Sequence, residues 1–190
     1  YTTNPGVVHF NQTRILNYDA TDPWELSAAE LEGRSQCWEM VQWLIREIPG
    51  FEGAYLQKMA TQIGVRESRR IIGEYILTED DLLSGRKFVD VIACGSYPVD
   101  IHNPKGEGTI LKYLPEGEWY DLPYRSLLPQ GIDNLLMGGR SISATHEAHS
   151  AIRVMPIVFA IGQAAGTAAA LSIDLDRPPR KVDHHLLQQE

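Results

Sequence analysis

The spacing of apolar side chains predicts a long amphipathic helix in the first third of the chain. Ser27-Ala28-Ala29-Glu30 has the form of a capping box, and the apolar residues behind it recur at helical intervals until Pro49-Gly50. A shorter helix is predicted to begin at Thr78 and to end at Gly85, and residues 182–189 are typical of a short terminal helix.

Short runs rich in β-branched and aromatic residues indicate strands, because Gly, Pro and Asn turn residues separate them. The predicted strands are residues 7–16, which form one or two, a pair within residues 55–75, and residues 88–94, 109–114, 119–121 and 132–137. The polar stretch from Ser141 to Ser150 follows and is typical of a functional loop. We therefore expect an α+β fold, with a mixed or antiparallel sheet and packed helices.

Residues 154–173 carry no charged side chain, which allows two interpretations. About 20 residues would just cross a bilayer, but Pro156, Gln163 and many small residues argue against a membrane span. We expect instead a helix buried on all sides, and no membrane. The amides of residues 153–155 at its start would carry partial positive charge and favour an anionic group, unless this end is simply capped or solvated.

Composition narrows the possible functions. The formal net charge is −8 and the Lys and Arg residues are scattered, so we expect no nucleic-acid binding. Cys37 and Cys94 are single and far apart, which fits a reducing cytoplasm and predicts neither a zinc site nor a disulfide framework. The chain begins at Tyr1 without a recognisable leader, and we expect it to be part of a longer protein.

Charged residues near the middle of the chain are candidates for substrate chemistry. Arg66, Glu67 and Arg70 lie at a bend between two predicted strands, where alternation would point Arg66 and Arg70 to one face. An exposed or salt-bridged strand pair would show the same pattern. Asp100-Ile101-His102 and His146-Glu147 add imidazoles and carboxylates of the kind that general acid–base catalysis uses, although a lone loop histidine is more often structural.

The remaining histidine spacings do not predict a metal site. His146 and His149 are three residues apart, whereas the helical zinc pattern HExxH places its two imidazoles four residues apart. His184-His185 is a simple adjacent pair. We expect no metal.

Five stretches of the sequence form a recognisable combination: residues 134–149, 153–156 and 162–170, with upstream support from residues 64–75 and 97–102. Together they resemble a known family, the bacterial FAD-dependent oxidoreductases. The resemblance extends over nearly the whole chain, and the combination is specific even though no single stretch is.

The resemblance implies a flavoenzyme with an N-terminal Rossmann-type domain, an inserted substrate domain and a C-terminal return to the flavin. Residues 1–130 would then be substrate-domain-like, residues 131–175 would complete the FAD-binding domain as a strand, a loop and a long buried helix, and residues 176–190 would be a linker and short helix. The G-x-G-x-x-G fingerprint is absent, since Gly106-Glu107-Gly108 lacks the third glycine. We therefore expect the chain to hold the flavin ring without the N-terminal phosphate-binding domain.

The resemblance and the chemistry of the side chains together suggest a site. The expected cofactor-binding residues are Gly138, Gly139, Arg140, Ser141, Ser143, Arg153, Val154 and Met155. The expected substrate-binding residues are Arg66, Glu67, Arg70 and Asp100, and the expected catalytic residues are His102, His146 and Glu147.

The expected function is the transfer of hydride or electrons between FAD and an unidentified small organic substrate. We expect this fragment alone to be inactive, and it need not retain FAD. The alternative is a non-catalytic binding or assembly module without a cofactor. We also expect self-association through the apolar surface that a missing domain would leave.

Overall fold

The computed structural model describes residues 2–102 and 108–190. Contacts divide the chain into two compact units, Tyr1–Val65 and Arg66–Glu190. The sequence-based boundary at residue 130 lies inside the second unit. The turn at Gly106-Glu107 lies outside the described residues.

The first unit is built around one long helix, α1 (Pro23–Glu47). The Asp22 carboxylate caps it by accepting hydrogen bonds from the amides of Trp24 (2.8 Å) and Glu25 (3.0 Å), and Pro23 occupies its first turn. The capping box predicted at Ser27 is therefore wrong, because the helix begins four residues earlier. The Ser27 hydroxyl instead donates to the Pro23 carbonyl inside the first turn.

No strand forms in the described part of the first unit, so the strands predicted over residues 7–16 and 55–65 are wrong. The physical reason is that key amides bond to side chains of α1 instead of to a neighbouring strand. The Arg14 amide donates to Gln36 Oε1 (3.1 Å), and the Ile63 amide donates to Glu30 Oε1 (2.7 Å). Irregular backbone can thus satisfy its polar groups against a helix as well as in a ladder.

The second unit contains two small antiparallel sheets. β1 (Val91–Gly95) pairs with β4 (Tyr120–Pro123), and β2 (Val99–His102) pairs with β3 (Thr109–Lys112). Three of these strands overlap predicted ones, whereas β2 was not predicted. Mixed helices and small antiparallel sheets are compatible with the expected α+β class.

Four α-helices complete the described part of the second unit: α2 (Glu79–Leu83), α3 (His146–Ile152), α4 (Met155–Asp174) and α5 (His184–Leu187). The predicted cap at Thr78 is confirmed, since its hydroxyl and the Asp81 carboxylate form a reciprocal capping box. The core of the unit gathers side chains from both β1–β4 and α4, including Tyr120, Leu122, Ile157 and Ile161.

Three expectations about the last third of the chain are wrong. Residues 132–137 form no strand, and Met137 donates one isolated backbone bond to the Leu127 carbonyl. Residues 141–150 form a loop only at positions 142–145, because a 3₁₀ turn (Gly139–Ser141) precedes them and α3, which the Thr145 hydroxyl caps, follows them. α4 is not buried on all sides, since the core lies along only one of its faces.

The exposed face of α4 is strongly apolar. Ile157, Ile161, Ala164 and Ala168 are buried, whereas Met155, Phe159 and Ile173 are each about 70% exposed or more. By length and composition α4 could also cross a membrane, and only 17% of its most apolar stretch is buried.

Gly95 marks the closest packing between β1 and the rest of the core. A Cβ at this position would lie 2.6 Å from Tyr120 Cε2 and 2.7 Å from Ile157 Cδ1. We expect Gly95→Ala to lower the free energy of unfolding by about 1–3 kcal/mol, because the buried ring cannot move aside. Urea denaturation measures the change. Gly162→Ala in α4 is the control, since its Cβ would meet nothing within 4 Å, and equal stability of the two variants would contradict this packing.

Candidate functional site

An extended segment of the second unit runs parallel to the chain that leads into α3. The Ile71 amide donates to the Ser141 carbonyl (3.0 Å), the Leu77 amide donates to the Ser143 carbonyl (3.1 Å), and the Thr145 amide donates back to the Leu77 carbonyl (2.8 Å). Only isolated bridges form in this segment, a parallel one from Leu77 to Ala144 and an antiparallel one from Gly73 to Pro129, so the second strand predicted within residues 55–75 is wrong. The pairing nevertheless fixes residues 66–70 beside α3.

One end of this segment makes a carboxylate–imidazole pair. Glu67 Oε2 lies 2.6 Å from His146 Nδ1, and Glu67 Oε1 forms an ion pair with the Arg70 guanidinium. His146 is half exposed, whereas Glu67 and Arg70 are largely covered. Because Nδ1 is engaged, Nε2 is the imidazole nitrogen that can exchange a proton with a bound molecule.

A second group of polar contacts surrounds Asp100 in β2. Arg66 Nη2 lies 3.2 Å from Asp100 Oδ2, and Arg153 Nη2 donates to the Asp100 carbonyl (3.4 Å). The Asp100 amide donates to Ser150 Oγ (3.0 Å), which ties β2 to α3. The structure therefore brings together Arg66, Glu67, Arg70, Asp100 and His146, all of which are expected site residues.

Two further residues, His102 and Glu147, were also expected to be catalytic. His102 is the last residue of β2, and its side chain lies outside the described residues. Glu147 lies in the first turn of α3. The Glu147 carboxylate accepts a hydrogen bond from its own backbone amide, and this bond is the main reason that its pKa lies below the usual range. A hydrogen bond from the Thr145 side chain has a smaller effect in the same direction. In this structure its carboxylate thus interacts with the start of the helix.

His149 was not among the expected site residues, yet it is the most unusual side chain near this cluster. It is fully buried, and neither ring nitrogen has a hydrogen-bond partner at normal distance. Burial and then the positive charges of Arg153 and Arg70 lower its pKa to about 4, with only weak opposition from the Arg140 backbone. His149 is therefore neutral at physiological pH. Its position one turn after His146 and one turn before Arg153 was the available sequence signal.

Arg153 is itself partly buried at the junction of α3 and α4. Burial is the main cause that lowers the pKa of the Arg153 guanidinium, and the positive charge of Arg66 lowers it further. An arginine held under these conditions is a strong attractor for an anion, because a bound negative charge would relieve both effects.

The expected cofactor-binding residues form two short backbone stretches. Gly139 begins the 3₁₀ turn with φ of 65°, and a Cβ at Gly138 would lie 3.2 Å from Ile161 Cγ2 in α4. Val154 is the N-cap of α4 but makes no side-chain cap, so the amides of this end are not satisfied by a capping group. Ser143 is buried and accepts the Gly73 amide (2.9 Å).

These stretches fit an electron-rich planar group such as a flavin ring. Uncapped amides and a helix dipole favour developing negative charge, and the glycines permit close backbone approach. The chemistry of these donors therefore agrees with the cofactor that the sequence suggested.

One group of metal-ligand type occurs among the described residues. The ligand atoms of Asp183, His184 and His185 all lie within 4.8 Å of one another at the surface. They belong to the cap and first turn of the four-residue helix α5. Exposed groups of this kind commonly hold no ion, and we assign it no role.

Comparison with protein families gives one result. The family model for FAD dependent oxidoreductases matches residues 1–190, which is the whole chain. No match was found among curated proteins or solved structures. The resemblance noted in the sequence is thereby confirmed, and so is FAD as the cofactor of the family. The bacterial origin and the C-terminal position of the chain stay predictions.

His149 makes stability depend on pH. Its pKa is about 4 in the folded chain and about 6.5 when unfolded, so between these values the unfolded state binds more protons. The free energy of unfolding therefore decreases as the pH falls below about 6.5. His149 contributes a decrease of about 2 kcal/mol between pH 7 and pH 5. Urea denaturation at both pH values measures the loss, which we expect to be smaller in His149→Gln. The exposed control His9→Gln should keep the full loss, and an unchanged loss in His149→Gln would contradict the assignment.

Proposed function

The chain belongs to the FAD dependent oxidoreductase family, and we propose that its second unit contributes the flavin-facing and substrate-binding residues of an enzyme that oxidises a small organic anion. The observation that carries the proposal is the Glu67–His146 pair, 2.6 Å apart, beside the Arg66–Asp100 contact. These contacts support a proton acceptor at His146 and cationic groups nearby that can hold a substrate.

Residues of two stretches would hold the cofactor: Gly138, Gly139 and Arg140 in the turn, and Arg153, Val154 and Met155 at the start of α4. Bound FAD supplies the two-electron acceptor. The uncapped amides at α4 would favour negative charge on the ring edge that they face. Ser141 and Ser143 support this arrangement through backbone, since their carbonyls accept from Ile71 and Leu77.

Oxidation of a hydroxyl- or amine-bearing carbon releases a hydride from carbon and a proton from oxygen or nitrogen. The proton is the part that this chain's own residues handle. His146 Nε2 accepts it, and the Glu67 carboxylate stabilises the imidazolium through Nδ1–H. Arg70 fixes Glu67 from its other oxygen, so the imidazole keeps its orientation.

The arginines support an anionic substrate. Arg66 is half exposed and binds Asp100 through one nitrogen, which leaves further guanidinium N–H groups for a ligand. Arg66 is close enough to Arg153 for its positive charge to help lower the pKa of the Arg153 guanidinium, which burial lowers most. A carboxylate between them would gain charge-assisted hydrogen bonds and reduce their mutual repulsion. Small hydroxy carboxylates carry both this anion and an oxidisable hydroxyl.

We further propose that the chain is the C-terminal part of a longer cytoplasmic protein whose N-terminal domain carries the G-x-G-x-x-G motif. The exposed apolar face of α4 supports this proposal, together with a shallow groove bordered by Leu136, Ala165, Gly166 and Ala169. A Rossmann-type domain packed there would cover the helix without any membrane. The chain alone would then bind FAD weakly, lack activity, and self-associate through this face.

Flavin titration tests the cofactor proposal. We expect a longer form that includes the phosphate-binding domain to bind FAD, and Arg140→Ala to weaken binding about tenfold or more, because a charged contact to the cofactor is removed. Flavin fluorescence quenching measures the affinity. Arg177→Ala, an exposed arginine after α4, is the control and should bind normally.

The same titration separates the alternatives. Absence of flavin binding in the longer form and in this chain, with both folded by circular dichroism, would overturn the cofactor assignment. A non-catalytic assembly module would then be the better explanation.

Substitution of the proton acceptor tests the mechanism. We expect His146→Gln to lower kcat by about 100-fold or more with FAD binding unchanged, because the amide side chain of glutamine cannot take the substrate proton. Glu67→Gln should cause a smaller loss of the same kind. The assay is anaerobic bleaching of oxidised flavin by a panel of small hydroxy carboxylates. His185→Gln is the matched control in an exposed histidine, and full activity in His146→Gln would exclude this role.

A further inference from the structure

Helix α1 carries an apolar stripe on the side opposite its buried face. Trp24, Leu31 and Trp38 are 83%, 71% and 57% exposed. Ala29 and Gly33, in contrast, are buried against the first unit. At about 100° per residue, the stripe and the buried residues lie on opposite sides of the helix. A helix that is apolar on two faces has a surface that its own unit does not cover.

The stripe has the repeat of a coiled coil. Trp24, Leu31 and Trp38 are separated by seven residues, and Ile45 continues the series. In heptad terms these are d positions, and the a positions between them are Ala28, Ser35 and Gln42. Ala28 and Ser35 are exposed and small, so two helix backbones could approach closely there. A seven-residue repeat along 25 residues fits a second helix of the same kind.

The charges beside the stripe favour a parallel partner with the same sequence. Arg34 is a g position and Glu39 is the following e position, which are the two sites that form ion pairs between parallel helices. Both side chains are exposed, and each makes one weak hydrogen bond with a neutral partner, from Arg34 Nη2 to the Thr61 carbonyl (3.3 Å) and from the Ser35 hydroxyl to Glu39 Oε1 (3.1 Å). Two parallel copies would therefore form two Arg34–Glu39 pairs, one on each side of the seam. Gln42 would face its own copy and could form a hydrogen bond across it.

The size of the stripe is sufficient for a weak dimer. Two tryptophans, a leucine and an isoleucine from each copy would remove about 500 Å² per copy from solvent, since aromatic side chains bury roughly 150–250 Å² each. The total of about 1,000 Å² is at the lower limit of specific interfaces. We propose that two copies of this chain associate through α1 in parallel, with Trp24, Leu31, Trp38 and Ile45 forming the seam.

Two tryptophans of the same helix provide a matched test. Trp38 is on the stripe, whereas Trp43 is 48% exposed and lies about 140° away around the helix. In a Phe159→Ser background, which removes the association proposed for α4, we expect the full chain to dimerise with Kd near 10 µM, Trp38→Ala to raise Kd about tenfold or more, and Trp43→Ala to leave it within about twofold. Sedimentation equilibrium measures Kd. A monomeric chain at about 100 µM, or equal effects of both substitutions, would overturn the proposal.

A charge exchange tests the parallel orientation. Arg34→Glu and Glu39→Arg should each raise Kd about fivefold, because each places like charges across the seam, and the double variant should restore it. Failure of the double variant to restore Kd would rule out the parallel pairing.

Self-association through α4 is distinguished in the same experiment. Phe159→Ser alters the exposed face of α4 and leaves α1 unchanged. Dimerisation that survives Phe159→Ser and is weakened by Trp38→Ala supports the α1 seam. The reverse pattern contradicts it and assigns association to α4.

Discussion

The backbone hydrogen bonds between residues 71–77 and residues 141–145 hold the candidate site together. Gly73 lies at the centre of this pairing, where a Cβ would be 2.8 Å from the Ser143 Cβ and 3.2 Å from the Arg125 carbonyl oxygen. Any larger residue would push the two segments apart. Because Glu67 lies just before one segment and His146 just after the other, their 2.6 Å contact depends on this close approach.

Buried ionic groups hold the outer side of the same segment. The Tyr75 hydroxyl donates to Asp81, which also accepts from Arg86 (2.8 Å). Although burial opposes it, hydrogen bonds from Thr78, Tyr75 and Arg86 keep the pKa of Asp81 below its usual range. These contacts are satisfied internally and do not extend to the candidate site, so they anchor the segment and leave Arg66 and Glu67 for binding.

Positive charge predominates around the candidate site. Arg70 and Arg153 lie close to His149, which burial keeps neutral, and Arg66 lies close to Arg153. The carboxylates of Glu67 and Asp100 balance only part of the charge of these arginines. The α4 N-terminus adds a partial positive charge nearby in sequence. An anionic substrate and an electron-accepting flavin both suit such surroundings.

The amino-acid sequence by itself determined the features that depend on local chemistry. These include the Thr78 capping box, the extents of α1 and α4 to within a few residues, and the motif pattern that identifies the family. It also identified Arg66, Glu67, Asp100 and His146 as candidates, because their side-chain chemistry is visible without a fold. Their roles stay predictions.

Only the tertiary structure decided which groups meet and which backbone becomes regular. Residues 7–16 and 71–75 have strand-like composition. The Arg14 amide bonds instead to a side chain of α1, and the amides of residues 71–75 bond to two different segments, residues 125–128 and 141–143. The burial of His149 and the exposure of one face of α4 likewise depend on the packing of distant parts of the chain. Local patterns cannot contain this information, because hydrogen-bond partners and burial are set by residues far apart in sequence.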